Sequence, residues 1–124
     1  MAAQKQSGFI LPYKNSLPKI DDTAFIAPSA SIIGDVEIGA DSQIWYGCTV
    51  HDKGFVGMQA CVMDGAIVES YGMVAAGALV SPGKIVKSGE LWVGRPARCV
   101  RELTDEERKY IDWSAPHYVV LGQE

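Results

Sequence analysis

The chain has 124 residues, of which 48% are hydrophobic, and its 15 acidic and 11 basic side chains give a net charge of −4. This length and composition fit one domain with a buried core, and the acidic balance argues against a nucleic-acid partner. No apolar run approaches the ~20 residues of a membrane span, and residues 1–25 lack the layout of a secretory signal. We therefore expect a single cytoplasmic domain over residues 1–124, with no membrane partner.

The N-terminal residues 1–23 are predicted to form an extended arm that caps the domain, because Pro12 and Pro18 disfavour a helix there. Residues 24–92 then carry a strict sixfold repeat, which neither a helix nor a simple alternating strand produces. The aliphatic residues at every sixth position are Ile26, Ile32, Ile38, Ile44, Val50, Val56, Val62, Val68, Val74, Val80 and Val86. Such a hexapeptide repeat predicts an all-β solenoid, a single-stranded parallel β-helix of about four coils.

Three hexads make one triangular coil, so residues 18 apart should stack in ladders with a step of about 4.8 Å. The predicted ladders are Ile26, Ile44, Val62, Val80; Ile32, Val50, Val68, Val86; and Ile38, Val56, Val74, Trp92. The residue two positions before each repeated aliphatic is small, as a tight corner requires. Val36 and Lys84 are the exceptions. Alternation turns Ile33, Trp45 and Met63 outward, and this apolar outer wall predicts a cover.

The C-terminal segment 93–124 is predicted to be a linker and an α-helix packed along one face of the solenoid. Thr104 followed by Glu107 fits a capping box. Leu103, Tyr110 and Ile111 give an apolar face. Pro116 is expected to break or kink this helix before a second short helical stretch over residues 117–121.

Several segments resemble the γ-class carbonic-anhydrase-like proteins of the hexapeptide-repeat superfamily. The segments that carry the resemblance are LPKI at 17–20, AFIAPSA at 24–30, IGDV at 33–36, SQIWYG at 42–47, VAAGALV at 74–80 and GELWVGRPAR at 89–98. The resemblance implies a left-handed coil, a homotrimer and a metal site between neighbouring subunits. It also implies the family reaction, in which zinc-bound hydroxide hydrates CO₂ reversibly to bicarbonate.

The chain departs from the family where the three zinc-binding histidines would lie. Tyr46-Gly47-Cys48 runs directly into Thr49-Val50, as if central coils had been removed between two similar Gly-Cys steps. The hexad phase survives, because Ile44, Val50 and Val56 remain six apart. No family ligand carries over, so we assign no catalytic, cofactor-binding or metal residue and expect no cofactor in this chain.

Other candidate residues have ordinary structural explanations. His51 and His117 are weak alternatives as metal ligands, and we expect both to have surface or packing roles. Asp64 and Glu69, near Tyr71, are expected to be solvated rather than catalytic. The arginines Arg95, Arg98 and Arg101 could cradle an anion, but we expect them to pair with acidic residues at 102–107. Cys48, Cys61 and Cys99 have no CxxC spacing, which predicts reduced, buried thiols.

Three hypotheses for function remain open. The chain is a γ-carbonic-anhydrase-like protein that has lost catalysis and serves a structural or assembly role, or it is an active zinc enzyme with a rearranged site. The alternative is a hexapeptide-repeat acyltransferase that uses an acyl-CoA donor. That class usually carries its catalytic histidine on a protruding loop, and no long loop interrupts the repeat here.

Overall fold

The sixfold repeat folds as a parallel β-helix with three faces. A computed structural model describes the backbone of residues 8–122 and the side chains of residues 8–113. The elements are β1 Phe9–Leu11, β2 Lys19–Ile20, β3 Phe25–Ile26, β4 Ser31–Ile33, β5 Glu37–Ile38, β6 Gln43–Ile44, β7 Thr49–Val50, β8 Phe55–Val56, β9 Cys61–Val62, β10 Ile67–Val68, β11 Met73–Val74, β12 Leu79–Val80, β13 Ile85–Val86, β14 Glu90–Gly94, β15 Ala97–Glu102 and α1 Asp105–Gly122. No helix among residues 8–122 is both long and apolar enough to cross a membrane.

The three faces are three sheets whose strands stack in parallel along the coil axis. The first face holds β3, β6, β9 and β12, and the second holds β1, β4, β7, β10 and β13. The third face holds β2, β5, β8, β11 and β14, with β15 added antiparallel to β14. The register pairs Ile44 with Val62 and Val74 with Trp92, which confirms the predicted ladders.

The interior is a stack of the repeated aliphatic side chains. All eleven hexad residues are at most 1% exposed. Burial of each of these side chains stabilises the fold by roughly 1.5–3 kcal/mol. The predicted corner residues are buried with them, and Ser42 satisfies its hydroxyl by donating to the Gly57 carbonyl oxygen at 2.8 Å. Lys84 is the exception and is exposed.

The winding begins one turn earlier than the repeat predicts, giving about five turns. Ile10 pairs with Ile32 and Ile20 pairs with Ile38, so part of the N-terminal segment belongs to the β-helix. These two inward residues are ten apart instead of six because a turn is inserted between them. Tyr13 and Ser16 exchange two backbone hydrogen bonds of 2.9 Å across that turn, which hides the first coil from a search for period six.

The C-terminal helix begins at the predicted capping box. Glu107 N donates to Thr104 Oγ1 at 3.1 Å, and Thr104 N donates to Glu107 Oε1 at 2.8 Å. The helix runs unbroken through Pro116 to Gly122, so the predicted break there is wrong. Proline inside a helix removes one hydrogen bond and crowds the carbonyl four residues earlier, but this local cost does not by itself decide whether the helix continues.

Helix α1 covers the outer side of the third face. Leu91, Leu103 and Ile111 are buried together, and Phe55 and Met73 pack against them. The Phe55 and Tyr110 rings meet edge to face with centroids 6.2 Å apart. This arrangement confirms the predicted packing of the helix along one face of the solenoid.

Candidate functional site

His51 follows β7 and lies half-buried on the outside of the second face. It lines a groove of about 430 Å³ together with Tyr13, Ile33, Asp52 and Ser70. Asp52 Oδ1 in this groove accepts a hydrogen bond of 2.7 Å from the Asp35 backbone N–H. The surface or packing role expected for His51 stays a prediction. The side chain of His117 lies outside the described residues.

The three residues considered for acid–base chemistry lie at different positions, and two of them have structural partners. Asp64 is exposed at the corner after β9, whereas Glu69 follows β10 at the next corner. Glu69 Oε1 accepts a hydrogen bond of 3.1 Å from the Ser88 backbone N–H. The Tyr71 hydroxyl donates to Asp112 Oδ1 on helix α1. Glu69 therefore links two successive coils, and Tyr71 links the solenoid to the helix.

A polar network joins helix α1 to one corner of the solenoid. Lys53 Nζ lies 2.8 Å from Asp35 Oδ2 and 3.7 Å from Asp112 Oδ1. Burial alone lowers the pKa of Lys53, but its contacts with these carboxylates outweigh that effect and raise it. The hydrogen bond to Asp112, followed by partial burial, raises the pKa of Tyr71. Arg108 covers the Tyr71 ring at 5.4 Å, so this corner fixes the helix by charge and stacking.

Tyr71→Phe should remove a contribution to stability that exists only while the phenol is protonated. The pKa of Tyr71 is higher in the folded chain than its ordinary value of 10.0, so its contribution is fully present below pH 10. It is lost as the pH rises through the raised pKa, because a phenolate would face the Asp112 carboxylate. Denaturant unfolding of parent and variant across alkaline pH measures this difference.

The control for this experiment is Tyr46→Phe, which removes a phenol that is 49% exposed at another corner. Tyr46→Phe should change the free energy of unfolding at neutral pH by less than Tyr71→Phe does. A difference between parent and Tyr71→Phe that stayed constant from neutral to strongly alkaline pH would contradict the role given to the Tyr71–Asp112 hydrogen bond.

The three arginines do not converge on one point. Arg101 makes a bidentate ion pair with Glu107, with distances of 2.7 and 2.9 Å, so the pairing predicted for all three arginines is confirmed for this one. Arg95 instead donates to the Gly77 carbonyl oxygen at 2.9 Å. Arg98 lines a cleft at the C-terminal end of the coil. The predicted pairing with acidic residues at 102–107 is therefore wrong for Arg95, and the three side chains do not form one anion cradle.

The cysteines differ in burial, and all three are free. Cys48 is buried in a corner, and burial raises the pKa of its thiol. Cys61 faces outward and accepts a hydrogen bond of 3.2 Å from Trp45 Nε1. Cys99 is exposed, so its predicted burial is wrong, because it lies on β15 outside the coil interior. Within residues 8–113, no three His, Cys, Asp or Glu side chains lie close enough together to hold a metal ion.

Comparison with solved structures identifies the family. A hexapeptide transferase family protein from Anaplasma phagocytophilum is 38% identical, and the match covers 93% of this chain and 96% of that protein with a TM-score of 0.56. The chain belongs to the hexapeptide transferase family. Its fold is the left-handed β-helix of these hexapeptide-repeat proteins, so the handedness implied by the sequence resemblance is confirmed. No family profile matches the chain.

Among curated proteins, this hexapeptide-repeat chain is γ-carbonic-anhydrase-like. Gamma carbonic anhydrase 1, mitochondrial, from Arabidopsis thaliana is 38% identical, and the match covers 86% of this chain. The chain spans only 58% of the length of that relative. An acetyltransferase from Vibrio cholerae complexed with acetyl coenzyme A, 23% identical with a TM-score of 0.53, shares the fold.

The alignment with the Arabidopsis relative is longer than the part of this chain that it includes. It runs over 160 positions, whereas 86% of this chain is about 107 residues. About 50 positions of the relative therefore have no counterpart here, which is close to three coils of the hexapeptide repeat.

Proposed function

We propose that this chain is a γ-carbonic-anhydrase-like subunit with a structural or assembly role and no carbonic anhydrase activity of its own. The observation that carries the proposal is that about 50 of the 160 positions aligned with the plant relative have no counterpart in this chain. It supports the loss of whole coils at the Gly47–Cys48 step, where the family's histidine ligands would lie.

The proposed location of the protein is the cytoplasm. Cell fractionation tests this location, because the plant relatives are named as mitochondrial.

The remaining histidines do not supply the missing chemistry. Catalytic zinc needs three protein ligands and an open position that lowers the pKa of a bound water to about 7. The sequence holds two histidines, and half-buried His51 borders a groove with Ile33, Asp52 and Ser70. The family's zinc, and with it CO₂ or bicarbonate as substrate, would need ligands that these positions do not provide.

The outer surface supports assembly as a homotrimer. On the first face Phe25 packs against Trp45 with ring centroids 5.2 Å apart. On the second face Phe9 is 59% exposed and Ile85 is 40% exposed. Within residues 8–113, the apolar contacts of helix α1 are with the third face, and uncovered apolar patches on other faces mark protein interfaces. Other copies of the chain would cover the first two faces.

Two measurements on the purified protein test the proposal. Sedimentation should give about three times the chain mass of 13.4 kDa, because the apolar faces are buried between copies. After growth with zinc, the protein should contain no stoichiometric zinc and should not accelerate CO₂ hydration. A mass of one chain would contradict the assembly role, and tightly bound zinc with CO₂ hydration would contradict the loss of catalysis.

A matched insertion makes this test sharper. The segment of the Arabidopsis relative that has no counterpart here, about 50 residues, is inserted after Gly47 with the hexad phase kept. The insertion should restore zinc binding and CO₂ hydration, because it returns the ligand-bearing coils to an intact solenoid. An insertion of equal length with its histidines changed to alanine is the control and should fold without binding zinc.

The alternative function is an acyltransferase with an acyl-CoA donor, favoured by the family name of the Anaplasma relative. Titration with acetyl coenzyme A tests it, and transfer of the acetyl group to an acceptor would replace the assembly proposal. Over residues 25–86 the strands follow one another at six-residue steps with no protruding loop, which weighs against this alternative.

A further inference from the structure

Four side chains from two stacked coils form a compact group on the outside of the first face. Gln43 on β6 pairs in register with Cys61 on β9, and Trp45 and Met63 each lie two residues further along. Val62, between the two sulfur-bearing residues, is fully buried. Because alternate residues of a strand point to opposite sides, Cys61 and Met63 both point outward, and both are half-buried.

The two sulfur atoms of this group are in contact. Cys61 Sγ lies 3.3 Å from Met63 Sδ, and the thiol is the donor because a thioether carries no proton. The Cys61 S–H bond is therefore directed at a second sulfur atom. A thiolate and a thioether are the soft ligands that select Cu(I) among the biological metals.

The preceding coil supports the thiol. Trp45 Nε1 donates hydrogen bonds of 3.2 Å to Cys61 Sγ and of 3.2 Å to Gln43 Oε1. The Trp45 ring packs in turn against Phe25, with ring centroids 5.2 Å apart. A hydrogen bond donated to a metal ligand fixes its orientation, so the indole N–H would hold a Cys61 thiolate in place.

The composition of the group favours a soft monovalent cation over Zn²⁺ or Mg²⁺. Within residues 8–113, no three His, Cys, Asp or Glu side chains come together, as a zinc site or an oxygen-ligated site would need. Cu(I) accepts fewer ligands and prefers sulfur. The other two cysteines are placed differently, since Cys48 is buried in a corner and Cys99 lies on β15.

We propose that Cys61 and Met63 bind one Cu(I) ion. The thiol S–H bond breaks, its proton passes to solvent, and the two sulfur atoms each form a bond to the ion, with no change in oxidation state. The sulfur atoms need to separate slightly to admit the ion, which the flexible, unbranched Met63 side chain allows. The Trp45 ring can face the bound cation. All these residues belong to one chain, so the site is independent of the proposed assembly function.

Competition for Cu(I) between the purified protein and the chelator bicinchoninate, with ascorbate as reductant, tests the proposal. The parent should hold one Cu(I) per chain, and Cys61→Ser should lose it because a hydroxyl is a poor ligand for a soft cation. Met63→Leu keeps the size of the side chain but removes one of the two sulfur ligands, so it should weaken binding about tenfold or more. Copper is also supplied during growth, because other copies of the chain would cover this face in the proposed homotrimer.

Two matched controls remove the same sulfur groups elsewhere. Cys99→Ser removes an exposed thiol, and Met58→Leu removes the thioether of a residue that is 58% exposed. Each should leave the Kd for this Cu(I) ion unchanged within about twofold. X-ray absorption at the copper edge should find two sulfur neighbours in the parent and one in Met63→Leu.

Three results would overturn the proposal. A parent that holds no Cu(I) against the chelator would overturn the site. An equal loss in Cys99→Ser would assign the ion to a surface thiol. Equal affinity of Met63→Leu and the parent would leave a single thiol in place of the two-sulfur site. Circular dichroism of each variant should match the parent, so that a loss of binding is distinguished from a loss of folding.

Discussion

Val62→Asp should prevent the β-helix from folding. Val62 is fully buried on β9, between Ile44 and Val80 in the inner ladder of the first face. The hexad side chains around it are aliphatic and offer no partner to a carboxylate. An unpaired buried charge destabilises a protein by roughly 3–5 kcal/mol, a large part of a total stability of about 5–15 kcal/mol. In a solenoid each turn depends on its neighbours, so the damage affects the turns on both sides.

Circular dichroism and sedimentation measure this result against a matched control. Gln43→Glu adds the same charge on β6, where Gln43 is exposed and pairs in register with Cys61 beside Val62. The new carboxylate can still accept the hydrogen bond that Trp45 Nε1 donates to the Gln43 amide at 3.2 Å. The control should melt close to the parent. A folded Val62→Asp protein with the parent's melting temperature would overturn the assignment of the inner ladders.

Gly57→Ala should cause the next largest loss of stability. A Cβ atom at Gly57 would lie 2.6 Å from the Ala76 backbone nitrogen and 2.9 Å from its Cα atom. These atoms belong to the backbone of the following turn and cannot move aside as a flexible side chain can. Overpacking of this kind costs about 1–3 kcal/mol. We expect a fall in the free energy of unfolding of that size, measured by denaturant titration.

Gly65→Ala separates crowding from backbone conformation. Gly65 has a φ of +72°, but nothing lies within 4 Å of the position of an added Cβ atom. Its substitution should cost only the strain of a left-handed residue, about 1–2 kcal/mol. If Gly65→Ala were more damaging than Gly57→Ala, the close contact between stacked turns would not be the limiting feature at Gly57.

The architecture was predictable because the interior repeats without interruption. Period six, small corner residues and outward Trp45 all follow from the geometry of one coil. The first turn escaped detection because the Tyr13–Ser16 turn lengthens the chain between Ile10 and Ile20. Pro116 misled the prediction of the helix, since local propensity alone does not decide whether a helix continues.

The local contacts of the candidate residues were predictable, whereas the long-range contacts were not. The capping box of Thr104 and Glu107 joins residues three apart, so spacing alone indicates it. The Tyr71–Asp112 hydrogen bond joins residues 41 apart and depends on where the helix lies. Lys84 was visible as an exception to the small-residue pattern. Lys84 lines a cleft together with Arg98, and that cleft depends on the fold of the β14–β15 hairpin.

Because Ile44, Val50 and Val56 keep the six-residue spacing, the length of this β-helix can change in steps of one complete coil of 18 residues. Removing or adding one complete coil leaves every other side chain facing the interior or the exterior as before. The two coils that are then joined have equivalent backbones. A change by an odd number of residues would exchange interior and exterior from that point onward. Related proteins can therefore become shorter or longer by complete coils without a change in the core. A set of coils that carries catalytic residues can be lost or regained in one step.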